Sequence, residues 1–219
     1  MRSTNWMKAG FVLALLVSAF AGRIFAQQWE VGAVGGGAFY FNNSVSGPRG
    51  DGEAGFKPGF AAGGWVGHDT AGHFGGAFRY LLQMNDLKAA AGGKETTFAA
   101  QSHTLTYDFH IYSNTREDRV RPYVVAGAGF KAYRGTGVEH AIQPLSNIAI
   151  LSKTHEWTPV VNFGAGVKWA LSNRLAVRAE VRDYLTPFPK NVIVPGPGAK
   201  ISGWVHDLTP LIGLSYILY

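Results

Sequence analysis

Residues 104–112 read Thr104-Leu105-Thr106-Tyr107-Asp108-Phe109-His110-Ile111-Tyr112. Successive side chains of a strand leave on opposite faces. One face here therefore carries Leu105, Tyr107, Phe109 and Ile111, and the other Thr104, Thr106, Asp108 and His110. The same alternation returns in 161–169, where Val161, Phe163, Ala165, Val167 and Trp169 oppose Asn162, two glycines and Lys168. It returns again in 175–182, where Leu175, Val177, Ala179 and Val181 oppose Arg178, Glu180 and Arg182. Each stretch has two faces of opposite character, and the question is which face meets the solvent.

In a water-soluble sandwich or barrel the bulky apolar face turns inward. In a transmembrane barrel the arrangement inverts, with apolar rows on lipid and polar rows inside. Three features favour the inversion. Eight segments of strand character can be read at about 29–40, 58–67, 74–85, 97–112, 121–134, 156–170, 174–185 and 207–219, and each is long enough for a tilted strand of about 9–11 residues to cross a bilayer. The connectors alternate between short (68–73, 113–120, 171–173) and long (41–57, 86–96, 135–155, 186–206), as in outer-membrane barrels with tight periplasmic turns and longer outer loops. Tryptophan and tyrosine gather at the segment ends, the position of interfacial aromatic girdles. The girdle candidates are Trp29, Trp65, Trp157, Trp169, Trp204, Tyr112, Tyr123 and Tyr184. The expected fold is all-β: an eight-stranded antiparallel up-and-down transmembrane β-barrel.

Composition agrees. The 219 residues include 29 Gly, 47% are apolar and only 16% charged, which is too apolar for a disordered chain. There is no cysteine, so disulfides, thiol catalysis and Cys-ligated zinc are excluded. Residues 1–26, MRSTNWMKAGFVLALLVSAFAGRIFA, have a basic start, an apolar run and small residues before Ala21 and Ala26. This is the plan of a cleaved secretory signal peptide, with Ala26 the preferred cleavage point, leaving 27–219 as the barrel. Removing it would take away Arg2, Lys8 and Arg23 and no acid, so half of the +6 net charge belongs to the leader. Nucleic-acid binding loses its support with it.

The chain resembles the small outer-membrane β-barrel superfamily, the OmpA/OmpX-like eight-stranded proteins. The likeness is carried by Trp29-Glu30-Val31-Gly32, Phe78-Arg79-Tyr80, the related runs Arg121 to Lys131 and Gly164 to Trp169, Arg178 to Tyr184, and an aromatic last residue, Tyr219. The resemblance implies insertion by the barrel-assembly machinery, contact with outer-membrane lipid and lipopolysaccharide, a monomer, and no cofactor. It also implies an outward terminal aromatic with hydrophobic residues at every second position before it. Here that phase (Tyr219, Ile217, Ser215, Gly213, Leu211) is weaker than the opposite one (Leu218, Tyr216, Leu214, Ile212), and the sequence leaves the choice open.

An eight-stranded barrel is just wide enough for its own side chains. The register above directs Glu30, Arg79, Asp108, His110, Lys131, Lys168, Arg178, Glu180 and Arg182 into the lumen. These charges must pair, because an unpaired buried charge is costly; Arg79 with Asp108 and Lys168 with Glu180 are the expected partners. Glycines in the same phase (Gly32, Gly127, Gly129, Gly164, Gly166) leave room for them. The expected role is structural or surface-interacting, with a lumen plugged by charge. A narrow ion or solute channel is the alternative, followed by a lipid-modifying enzyme or a soluble lipid-binding barrel. Seven histidines form no metal-ligand spacing. Neither a Gly-x-Ser-x-Gly elbow nor a P-loop occurs, so no catalytic or metal residue is assigned. Outer-loop bases (Arg49, Lys57, Lys88, Lys94, Lys153, Lys190, Lys200) are candidates for contact with anionic lipopolysaccharide or with a host or surface ligand.

Overall fold

The alternation of side chains fixes which way each strand faces, and the backbone closes accordingly. The structure, a computed structural model, describes residues 28–70, 72–139, 142–201 and 203–218. The expected leader and Tyr219 lie outside the described residues. In chain order the strands are β1 (Gln28–Phe41), β2 (Asn43–Ser46), β3 (Gly52–Phe56), β4 (Gly59–Asp69), β5 (Phe74–Met84), β6 (Leu87–Ala91), β7 (Lys94–Phe98), β8 (Ala100–Tyr112), β9 (Val120–Gly135), β10 (Ala149–Leu151), β11 (His155–Ala170), β12 (Leu175–Pro187), β13 (Ile193–Pro195), β14 (Lys200–Ile201) and β15 (Trp204–Leu218). Eight of them close an antiparallel barrel in the cyclic order β1-β15-β12-β11-β9-β8-β5-β4, β4 pairing with β1. Strands adjacent in the chain are adjacent in the wall, and closure leaves no barrel edge unpaired.

Three tight turns gather at one rim. Between β4 and β5, Thr70 donates through both N–H (3.0 Å) and Oγ1 (2.6 Å) to the Phe74 carbonyl. At 171–174, the Leu171 N–H donates to the Leu175 carbonyl at 2.8 Å. Asp118 accepts from the Thr115 N–H at 3.1 Å in the third turn.

The opposite rim differs from expectation. The long connectors, read from sequence as loops, carry strands of their own. β14, β2, β3, β6 and β7 form a five-stranded sheet, and β10 pairs with β13. The segment expected as one strand at 97–112 is interrupted at Ala99, with β7 in this second sheet and β8 in the barrel. These elements enclose an apolar cluster that includes Val45, Phe56, Leu87, Phe98, Ile148, Leu151, Phe188, Ile193 and Val205. The capped end thus has a dry core, while the barrel presents its apolar side chains to its surroundings.

That outward surface includes Phe78, Leu105, Phe109, Phe130, Val161, Phe163 and Ile212, all exposed. On β15 the outward row is Leu218, Tyr216, Leu214 and Ile212, whereas Ile217, Ser215 and Leu211 are buried. The choice the sequence left open is therefore made by the stronger hydrophobic row. Gly213 lies in the inward row, where its missing Cβ admits the Trp65 ring.

Phe163, at the middle of β11 and 54% exposed, distinguishes a lipid-facing wall from a wetted one. Phe163→Arg is expected to cost about 2–4 kcal/mol of folding free energy in bilayers, the cost of a base near the midplane. Val138→Arg in the cap should change it by less than about 0.5 kcal/mol. Urea titration in lipid vesicles reads both.

Candidate functional site: the charged lumen

The inward rows of the eight strands converge on the barrel axis, and their polar members form three layers. Nearest the tight turns, Glu30 accepts from Lys168 Nζ (2.5 Å) and from Arg178 Nε and Nη2 (3.1 and 2.9 Å). Asp69 pairs with Arg121 and stands 3.4 Å from Lys168 Nζ. Arg121 also donates to the Asn114 carbonyl (3.3 Å) and the Gly72 carbonyl (3.3 Å), which ties this layer to the turns.

In the middle layer, Asp108 accepts from Arg79 Nε (3.2 Å), Arg182 Nη1 (2.8 Å) and Asn162 Nδ2 (2.9 Å). Glu180 is bound by Arg79 Nη2 (2.8 Å), Arg182 Nη2 (3.0 Å) and the Tyr123 hydroxyl (2.7 Å). His110 lies beside this layer, stacked on Tyr112 at 6.0 Å between centroids and 3.4 Å from Arg182 Nη2.

Toward the cap, Lys131 Nζ donates to Asp207 (2.6 Å) and to the Tyr40 hydroxyl (2.9 Å). Gln83 Nε2 donates to the same carboxylate at 2.7 Å. Above it the aromatic rings of Tyr40, Phe56 and Tyr133 stack in sequence, with centroids 4.6 and 5.1 Å apart, leading into the apolar cap.

All nine residues that the sequence directs inward are buried, and the structure distributes them in or beside these three layers. Arg79 does meet Asp108. Lys168 does not meet Glu180: its register partner is Arg178, and its ammonium reaches across the bore to Glu30 and Asp69. Asp69, Arg121 and Asp207 complete the network and were not among the sequence candidates. Arg121 follows from parity, since it shares its phase on β9 with Lys131. Asp207 became assignable only once the phase of β15 was known.

The girdle needs correction at four positions. Trp29, Trp157, Trp169 and Trp204 are exposed at strand ends. Trp65, Tyr112, Tyr123 and Tyr184 are buried inside the barrel. The reason is space and charge. A Cβ at Gly32 would collide with the Trp65 indole, and a Cβ at Gly166 would come within 2.7 Å of the Tyr123 ring. These large rings occupy volume that the glycines vacate. They also face cations: Arg79 and Arg178 approach the Trp65 ring at 5.3 and 5.1 Å, and Arg121 lies 3.9 Å from the Tyr112 centroid. Such contacts stabilise desolvated guanidinium groups.

On the cap, hydrogen bonds from Lys57 and then Lys88 hold the exposed Glu95 carboxyl below its ordinary range. Ion pairs at 3.1 and 3.3 Å join these groups, drawing the ends of β6 and β7 toward Lys57. Because the folded-state pKa is depressed, this small contribution is present above the unfolded value and is lost as pH falls through the folded one.

A closed eight-stranded wall with an apolar exterior, an ion-paired bore and tight turns at one rim defines a small membrane β-barrel. Residues 10–193 match the model of the outer membrane protein beta-barrel domain, and the chain belongs to that family. Among solved structures it is similar to Neisserial surface protein A, NspA, at 13% identity and a TM-score of 0.53, over 86% of this chain and 96% of that one. It is also similar to OprG from Pseudomonas aeruginosa, at 11% identity and a TM-score of 0.54, over 87% and 96%. At these identities the likeness is one of fold. No curated protein matches the sequence.

Removing one partner of a buried pair leaves the other uncompensated. Lys131→Met is therefore expected to cost about 3–5 kcal/mol, whereas Lys131→Met combined with Asp207→Leu recovers most of that loss. Equilibrium unfolding of the two variants in one detergent makes the comparison.

Proposed function

We propose that this protein is a non-conducting, non-catalytic resident of the outer membrane whose role is structural and surface-interacting, with its working surfaces on the outer wall and the cap. The observation that carries this reading is the pairing inside the bore. Each buried base (Arg79, Arg121, Lys131, Lys168, Arg178 and Arg182) has a carboxylate within 3.4 Å. Above these pairs the cap adds an apolar cluster across one end. A permeating ion would have to displace both. The soluble lipid-carrier alternative requires an apolar cavity lined by the bulky rows, and those rows are on the outside.

Lipopolysaccharide and outer-membrane lipid are the proposed neighbours, and the barrel-assembly machinery the proposed route of insertion as a monomer. The nearest approach to catalytic geometry is the outward pair His206 Nδ1 and Asp183 Oδ2, 2.8 Å apart. Asp183 Oδ1 also accepts the Asp207 N–H at 3.1 Å, and His206 packs edge-on against Phe41. Both contacts fit a polar anchor at the membrane boundary.

Planar bilayers holding the purified protein are expected to show no discrete current steps. Steps that disappear in a Glu180→Gln variant would establish the channel reading instead. Mass analysis of lipid A after expression is expected to show unchanged acylation.

A further inference from the structure

The outward rows are apolar over most of the wall, but near the capped end of β8, β9 and β11 they become polar. Arg134 is the register partner of both Gln101 on β8 and His155 on β11. Directly opposite residues in antiparallel pairs have Cβ atoms about 4.5–5.5 Å apart, so the three side chains share one patch of the outer face. His103, one outward position below Gln101, stands 3.2 Å from the Gln101 amide nitrogen and 2.7 Å from the Tyr80 hydroxyl. Lys153 is two residues before His155, on a segment held to β9 by the Gly135 N–H donating to the Thr154 carbonyl at 3.0 Å. The acid nearby is Glu139, which accepts the Lys153 backbone N–H.

Two facts give this patch a direction. The buried bases of the bore are ion-paired, and Lys57 and Lys88 share Glu95. The Arg134 guanidinium, which is exposed, has no hydrogen-bond or ion-pair partner among the described residues. Immediately below it, the same wall exposes Trp157 and Phe130, at 66% and 59%. A cation and an amide donor above aromatic rings match a molecule with an anionic head and apolar tails.

We propose that the outer wall over β8, β9 and β11 binds the phosphorylated headgroup of an outer-leaflet glycolipid, with Arg134 and His155 on the phosphate. Gln101 and Lys153 flank the headgroup, and the acyl chains lie along Trp157 and Phe130. Arginine suits this position because its planar fork can present two parallel N–H donors to phosphate oxygens. The proposal rests on the outer-membrane reading above and adds a specific lipid site to it.

The test uses the full mature chain refolded in detergent micelles. It is titrated with bisphosphorylated lipid A or with the same lipid dephosphorylated, and followed by native mass spectrometry. Wild type is expected to prefer the phosphorylated form by about tenfold, the scale of one or two charge-assisted contacts. Arg134→Ala with His155→Ala should abolish the preference, and the milder Arg134→Gln should reduce it. Arg116→Ala with Arg119→Ala, at the opposite rim, should retain it. Equal binding of the two lipids by wild type overturns the proposal, as does a preference that survives in both Arg134 variants. Competition by millimolar inorganic phosphate would reassign the patch to free anions. Heat-modifiable gel migration reports insertion separately, so failure of the barrel reading is distinguishable from failure of this site.

Discussion

A charged side chain enclosed between lipid-facing walls has little water to solvate it, and its cost is recovered only by a partner at contact distance. This constraint organises the whole barrel. Ladder hydrogen bonds join neighbouring strands, whereas the ion pairs cross the bore. Glu30 on β1 holds Lys168 on β11 and Arg178 on β12, and Asp108 on β8 holds Arg182 on β12. Strands far apart in the chain are thereby fixed relative to one another, and the register of each is fixed too. A slip of one residue would turn the ionic row to lipid and the apolar row inward.

The same constraint explains where the glycines and inward aromatics sit. Arginines and lysines need length, and two of them facing a ring need a flat surface. Gly32 and Gly213 clear the space for Trp65, whose indole is approached by Arg79 from the middle layer and Arg178 from the lower one. Tyr40 and Tyr133 perform the corresponding task higher up. Lys131 Nζ lies about 5 Å from both ring centroids, while their ring faces stack on Phe56 of the cap. The bore therefore grades from ions through amphipathic rings to hydrocarbon, without an abrupt change in polarity.

Most of the barrel was legible in the sequence because alternation and connector length are local signals. Asp108, His110, Arg178, Glu180 and Arg182 could be assigned from their strands alone. The misplaced tyrosines were legible as well, by stricter use of parity. Tyr184 has the phase of Arg182, and Tyr112 that of His110, so neither can face lipid while its neighbour two residues away faces the bore. Preference for strand ends competed with parity, and parity prevailed. Trp65 was harder, since β4 is built largely of glycine and alanine and offers little contrast between its faces. The cap was illegible because its strands are two to five residues long, too short for periodicity to register. Pairings such as Lys168 with Glu30 depend on positions across the bore that no local pattern encodes.

On the plugged-lumen reading proposed above, side-chain motion alone is not expected to open this bore. Within the two layers nearer the tight turns the carboxylates are shared, so releasing Arg182 leaves Arg79 on both Asp108 and Glu180, and releasing Lys168 leaves Arg178 on Glu30. A path would require several of these pairs to rearrange together. The apolar cluster of the cap would have to part as well. The ion pairs thus join strands that are not neighbours in the wall, Glu30 on β1 to Lys168 on β11 among them. The proposed lipid contact lies on the outside, where Arg134 has no hydrogen-bond or ion-pair partner among the described residues and stands above the exposed Trp157 and Phe130.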